Sequence, residues 1–323
     1  MPTGLQDNGF FSDEAASLSA KIKTEYKQLF FYLAEANEQA HKYLARLKVK
    51  SQDLKELVTV ALFARMLSAY QAMIFLAERG FTSEVRATCR SILEAKFKLG
   101  YLAVEPRAAE MMLANHEKER IKRLERYKSG DLPVHKHAAN QDWGKLIADA
   151  KARQQNLVGL KGGLPSIRQI AEKSGFPVDY SGPYSFFSDA VHSGVKELEI
   201  YLEFNAEGSE VTNFRYGPND EGWIPWCTLI ATGYLLDCLE ISAKFLASSK
   251  IVGLCHSSKS YAKGIRICWI SIQTSCRRTL KPVWANYPLC RKNEGNAVNL
   301  IEALPLGETG DGLPDKIYEV DAG

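Results

Sequence analysis

Between Leu54 and Ile74 apolar residues recur every three or four positions, at Leu54, Leu57, Val58, Ala61, Leu62, Met66, Tyr70 and Ile74. A stripe with that period covers one side of an α-helix, whereas a strand would scatter the same residues over both of its faces. This part of the chain is therefore committed to helix, and so broad an apolar side has to be buried against further helices.

The same period governs most of what surrounds it. Ile22, Tyr26, Leu29, Phe30 and Leu33 predict one long helix over 13–47, capped by Ser12 and packing on the body. Ser51 is placed to open the next helix and Gly80 to close it. Ser83 opens a third, which must stop before Pro106 because proline cannot continue it. Pro106 suits the first turn of a fourth helix, ended by Gly130. Shorter helices are expected at 143–152 and 165–175, and a long one at 223–249. Residues 198–205 and 211–216 alternate as strands do, with Glu207 and Gly208 at the turn.

The expected fold class is all-α: a multi-helix bundle of six to eight helices with a small β-hairpin and an irregular C-terminal tail. The expected divisions are an N-terminal long helix over 1–50, a helical core over 51–249 and the tail over 250–323. The tail stands apart by charge. Between Glu240 and Glu294 there is no acidic residue, while Lys244, Lys250, Lys259, Lys263, Arg266, Arg277, Arg278, Lys281, Arg291 and Lys292 are all basic. Seven acids against Lys316 follow, from Glu294 onward. Such a stretch reads either as an irregular extension or as a basic arm for RNA or DNA, with Tyr261, Trp269, Trp284 and Tyr287 interleaved.

With 46% hydrophobic and 24% charged residues the chain has enough apolar mass for a core, and a net charge of +3 is too small to imply a nucleic-acid partner by itself. The mixed charge run from His116 to Arg126 reads as a solvated helix face. Residues 1–13 show neither a basic start nor an apolar run. The most apolar window, 224–247, is interrupted by Asp237, Glu240 and Lys244, which suits a core helix better than a bilayer span. The seven cysteines include no C-x-x-C pair, so a zinc site from the four in the tail lacks ligand spacing. A soluble cytoplasmic protein with reduced thiols and no membrane partner is the expectation. No P-loop, G-x-G-x-x-G, G-x-S-x-G or H-E-x-x-H is present, and His41, His116, His135 and His137 show no ligand spacing, so the sequence points to no cofactor and no metal.

One constellation carries chemistry. Tyr184, Ser188 and His192 are spaced by four and share a helix face with Phe187, Val191 and Val195. Polar groups on an apolar face cost about 1–3 kcal/mol each unless hydrogen-bonded, so partners are expected from elsewhere in the fold. Arg86, Arg90 and Glu94 are spaced the same way on the third helix, in one stripe with Phe97 and Tyr101, while Val85, Cys89, Ile92 and Leu99 form its aliphatic side. If the two segments meet, Arg90 and His192 are the candidate catalytic pair, with Arg86, Glu94, Tyr101, Tyr184 and Ser188 as binding residues. An arginine holds a phosphate through its planar fork, and a histidine exchanges protons near neutrality. The plainer alternative is that these side chains only brace the fold.

These motifs, Arg86-Ala-Thr-Cys-Arg90-Ser-Ile-Leu-Glu94-Ala, then Tyr101, and Tyr184-x-x-x-Ser188-x-x-x-His192-Ser, resemble the bacterial family called domain of unknown function 5677 over about 50–247. The resemblance implies an all-helical fold and no particular activity. More distantly the chain is similar to HEPN-like helical proteins, which include metal-independent ribonucleases of toxin and phage-defence systems. Their signature places an arginine four to six residues before a histidine on one helix. Here Phe186, Phe187 and Ser188 occupy those positions, so Arg90 would have to supply the guanidinium from another helix. Two function classes follow: a binding or regulatory module, associated with mobile elements or defence, or a metal-independent ribonuclease with His192 as base. The partner would be a small ligand or RNA, and apolar stripes on several faces are compatible with a homo-oligomer.

Overall fold

The computed structural model describes residues 4–246 apart from 48, 51, 134–139, 158–162, 193–197, 199–200 and 219–221. These residues belong to one compact unit, Met1–Trp269. The expected tail over 250–323, its basic arm and its four cysteines lie outside the described residues, as do His135, His137 and Val195.

Nine helices of seven or more residues are present among the described residues, more than the six to eight expected. They are α1 (Asp13–Glu25), α2 (Lys27–Arg46), α3 (Leu54–Ala77), α4 (Thr82–Val104), α5 (Ala108–Ser129), α6 (Trp143–Leu157), α7 (Ile167–Lys173), α8 (Ser185–His192) and α9 (Trp223–Phe245). The expected long N-terminal helix is α1 and α2, separated at Tyr26, whose φ of −102° and ψ of 25° leave the helical basin. The ladder still runs through that point, because the Tyr26 amide donates to the Ile22 carbonyl and the Phe30 amide to that of Tyr26. The result is a kink, for which no glycine or proline in the sequence gave a signal.

Helix ends follow local chemistry. Ser12 caps α1 by accepting from the Ala15 amide, as expected. The cap of α3 is Asp53, which accepts from the Glu56 amide at 3.0 Å; Ser51, the residue expected there, lies outside the described residues. Gly80, at φ 76°, closes that end, with the Phe81 amide reaching the Leu76 carbonyl. Gly130 ends α5 in the left-handed region at φ 84°. Pro106 stands in the turn before α5 rather than in its first helical turn.

The central element is α4. It packs against α3, α9, α8 and α7, while α9 also covers α3 and α2. Tyr70, Phe63, Phe97, Tyr101, Phe187 and Tyr234 are fully or almost fully buried, and side chains of this size each contribute roughly 2–3 kcal/mol on burial. The Tyr70 hydroxyl meets Thr232 Oγ1 at 2.8 Å, so its polar end is satisfied inside the core. α5 and α6 pack on each other as a hairpin, joined where Arg153 reaches Glu117 at 3.4 Å, and α5 also touches α3 and α4. Glu117 is buried, an exception to the solvated face expected for that charge run.

Two helices, Leu54–Ala77 and Trp223–Ala243, are long and apolar enough to cross a membrane; 67% of the apolar window of the second is buried inside the fold, against 33% of the first. The hairpin forms as expected. β1 (Leu202–Phe204) pairs antiparallel with β2 (Val211–Phe214), Leu202 facing Phe214, and Gly208 turns at φ 70°.

Candidate functional site

Residues 174–192 lie along α4 as a strap, whose contacts run antiparallel to it from Ser174 at Phe97 to Phe186 at Arg86. Its geometry starts with a close approach at Gly100, where an added Cβ would lie 2.6 Å from Phe176 Cε2 and 3.0 Å from Ser174 Cβ. Ser174 Oγ then donates to the Phe97 carbonyl at 3.1 Å. A helical turn, Pro177–Asp179, leads into a π-helical segment, Tyr180–Tyr184, that contains Pro183. Proline lacks an amide hydrogen and clashes with the carbonyl four residues earlier, and the wider π turn relieves both problems. The strap then continues as α8.

Three cations of α4 each lie over an aromatic ring of the strap. Arg86 sits 4.0 Å from the Phe186 ring centroid, Arg90 5.0 Å from Tyr184, and Lys96 Nζ 4.3 Å from Phe176. The rings of Trp223 and Trp226, on α9, continue the aromatic wall beside Phe186 at 5.1 Å each. Arg86 also donates from NH2 to the Phe186 carbonyl at 3.2 Å.

At the end of the strap the two expected segments meet. Arg90 NH1 lies 2.8 Å from His192 Nε2, its NH2 donates to the Tyr184 hydroxyl at 3.0 Å, and its Nε donates to Glu94 Oε1 at 3.2 Å. The Tyr184 hydroxyl in turn donates a hydrogen bond to Glu94 Oε1 at 3.1 Å. A guanidinium has only donors, so in this contact His192 Nε2 is the acceptor. Arg90 keeps 16% of its side-chain surface exposed and Glu94 31%, while His192 is exposed at the last turn of α8. Burial, reinforced by the Glu94 charge and opposed by Arg90, raises the Tyr184 pKa and keeps it a hydroxyl donor.

The helical face expected for Tyr184, Ser188 and His192 is buried only at its start. Tyr184 and Phe187 are buried, whereas Val191 and His192 are exposed, because the helix runs out from under the bundle. His192 is thus no core histidine. Ser188 finds its partner on its own strap, donating to the Tyr184 carbonyl at 2.7 Å, where a partner from another element was expected. Tyr101 lies apart from the Arg90 network; its hydroxyl points to Met111 Sδ at 3.6 Å, on α5. The structure therefore unites Arg90, Glu94, Tyr184 and His192, sets Arg86 and Ser188 beside them, and leaves Tyr101 elsewhere. Among the described residues no group of three His, Cys, Asp or Glu is arranged to hold a metal ion.

A second polar cluster was not foreseen. Lys96 Nζ, almost fully buried, lies 2.8 Å from Asp179 Oδ2 and 2.7 Å from Asp237 Oδ2, with the Tyr234 ring 4.5 Å away. The Tyr234 hydroxyl donates to Asp179 Oδ1 at 3.4 Å. Burial works against the charge on Lys96, but the two carboxylates outweigh it and its pKa is raised. Asp237 is raised as well, because its enclosure outweighs the lysine beside it. The available signal was positional: Lys96 falls in the aliphatic stripe of Val85, Cys89, Ile92 and Leu99, and Asp237 interrupts an apolar helix. A charge at such a position is tolerated only when paired.

No curated protein and no solved structure matches the chain. The model of a family described as a family of unknown function, DUF5677, matches residues 56–210, a span that begins in α3, takes in α4, the strap and every residue of the Arg90 cluster, and ends just short of β2. Over that span the chain matches the DUF5677 family model.

Proposed function

We propose that this chain is a helical binding module that holds a phosphoryl group at Arg90, at the mouth formed by Tyr184 and His192. The observation that carries the reading is the 2.8 Å contact between Arg90 NH1 and the exposed His192 ring. Glu94 and Tyr184 hold the Nε and NH2 sides of the guanidinium, so the NH1 side, where His192 sits, is held in one orientation. A fixed planar fork is what bidentate recognition of a phosphoryl group requires. Glu94 also offsets part of the charge on Arg90, which favours reversible binding over stabilisation of a transition state.

The test is calorimetric titration with inorganic phosphate and with a single-stranded RNA oligonucleotide. Wild type binds, and Arg90→Gln loses binding of both by an order of magnitude or more, a loss in line with removal of a charge-assisted pair. Equal binding by the two proteins defeats the reading.

A second reading, metal-independent cleavage of RNA, is favoured by one observation: His192 Nε2 meets Arg90 as an acceptor, the role a general base needs. The imidazole would take the 2′-hydroxyl proton while Arg90 offsets charge on phosphorus. Cleavage in the presence of a chelator, lost in His192→Ala with the melting temperature within a few degrees, supports it. Binding without cleavage leaves the first reading alone.

A further inference from the structure

Every donor-bearing nitrogen of Arg90 is engaged within the protein: Nε by Glu94, NH2 by Tyr184 and NH1 by His192. NH1 and NH2 each keep a second hydrogen, but an anion that is to hold NH1 fully competes with His192 for it. Glu94 and Tyr184 are held to each other, and Tyr184 is buried beneath the strap, with its ring stacked 5.0 Å from that of Tyr180. His192 has neither restraint. It sits exposed on the last turn of α8, and its bond to NH1 is its one described contact with α4.

We infer that His192 is a displaceable internal stand-in for the ligand: its imidazole occupies the anion's place on Arg90 in the empty site, and an oxyanion takes over NH1 as the ring turns outward and takes up a proton from solvent. The inference rests on the anion-site reading and adds how that site is controlled. Its chemistry follows from the donors and acceptors involved. A neutral imidazole can accept from the guanidinium through Nε2; an imidazolium carries a hydrogen there and cannot, and it is also repelled by the arginine's charge. Once protonated, the same ring becomes a donor and a cation suited to an oxyanion between it and Arg90. Each anion bound then takes one proton from solvent, so binding tightens as pH falls.

The groups facing the ring set the local field. Arg90 from α4 contacts the ring directly, and Glu94 from α4 and Tyr184 from the π-helical segment are bonded to the same guanidinium. An arriving anion adds negative charge beside the ring, which is why proton and ligand enter together.

Sulfate is the suitable probe, since phosphate itself changes charge with a pKa near 6. Sodium sulfate is titrated calorimetrically at constant ionic strength, at pH 6.0 and 8.5, into wild type, His192→Ala and Arg90→Gln. In wild type, affinity drops at least about tenfold between the two pH values, the change expected when one imidazole proton is taken up. Buffers of different ionisation enthalpy report that proton directly. His192→Ala removes the stand-in, so its affinity is independent of pH, and at pH 8.5 it binds about 3- to 10-fold more tightly than wild type, as loss of one competing hydrogen bond predicts. Equal or weaker binding by His192→Ala at pH 8.5, with Arg90→Gln inactive, overturns the stand-in and leaves the anion site standing. Sulfate binding that is absent from wild type, or unchanged in Arg90→Gln, defeats the site and the stand-in together.

Discussion

Lys96 and Asp179 join α4 to the strap through a 2.8 Å ion pair five residues ahead of Tyr184. The same ammonium reaches Asp237 on α9 at 2.7 Å, so one buried charge holds three segments in register. Because Tyr184 and His192 lie on the strap while Arg90 and Glu94 lie on α4, that register decides whether the four can meet.

Lys96→Met keeps the length of the side chain and removes its charge, leaving Asp179 and Asp237 close together without a cation. Breaking a buried pair in this way costs on the order of 3 kcal/mol, at the lower end of the usual range because Asp237 retains 38% of its side-chain surface. The melting temperature should fall by about 6–10 °C. A change of less than about 2 °C would show that the cluster contributes little.

The same cluster predicts an alkaline limit. A lysine whose folded pKa is raised binds its proton more tightly in the fold than in the unfolded chain, so its contribution is full below its ordinary value and disappears as pH rises toward the folded one. Tyr234, whose pKa burial raises well above the usual value, acts in the same direction, since the unfolded chain ionises first. Chemical denaturation at a series of pH values should show stability falling above about pH 10, and Lys96→Met should show a shallower fall. Parallel curves for the two proteins would contradict this assignment.

Gly100→Ala places a methyl group against Phe176 and Ser174. The better helix propensity of alanine offers about 1 kcal/mol, while the overpacking costs about 1–3 kcal/mol because the Phe176 ring is itself held under Lys96. A net loss near 1 kcal/mol is expected by urea denaturation. A more stable variant would mean that the strap yields easily.

Tyr184→Phe keeps the ring beneath Arg90 and removes the hydroxyl shared by Arg90 and Glu94. Stability should fall by about 1 kcal/mol. Sulfate affinity should fall about threefold, because one side of the guanidinium is no longer fixed. Unchanged affinity, read by calorimetry, would remove Tyr184 from the site.

Most of the helical layout was legible from residue spacing, because an apolar stripe of period 3.6 has one way to be buried. Ser12, Gly80, Pro106 and Gly130 marked helix ends through their own backbone chemistry. The break at Tyr26 had no such marker, since no glycine or proline stands there. Of the site, Arg90, Glu94, Tyr184 and His192 were nameable from spacing by four. Tyr101 shares that spacing yet lies apart, because its position on α4 faces α5 and not the strap.

By itself, then, the sequence determined which residues lie on a common helix face, since that depends only on the geometry of one helix. Tertiary structure alone decided that the strap runs antiparallel to α4, that Lys96 finds two carboxylates and that Arg90 meets His192 at 2.8 Å. Those partners are separated by 83 to 141 positions in the chain, and no local rule of spacing reaches across such a distance.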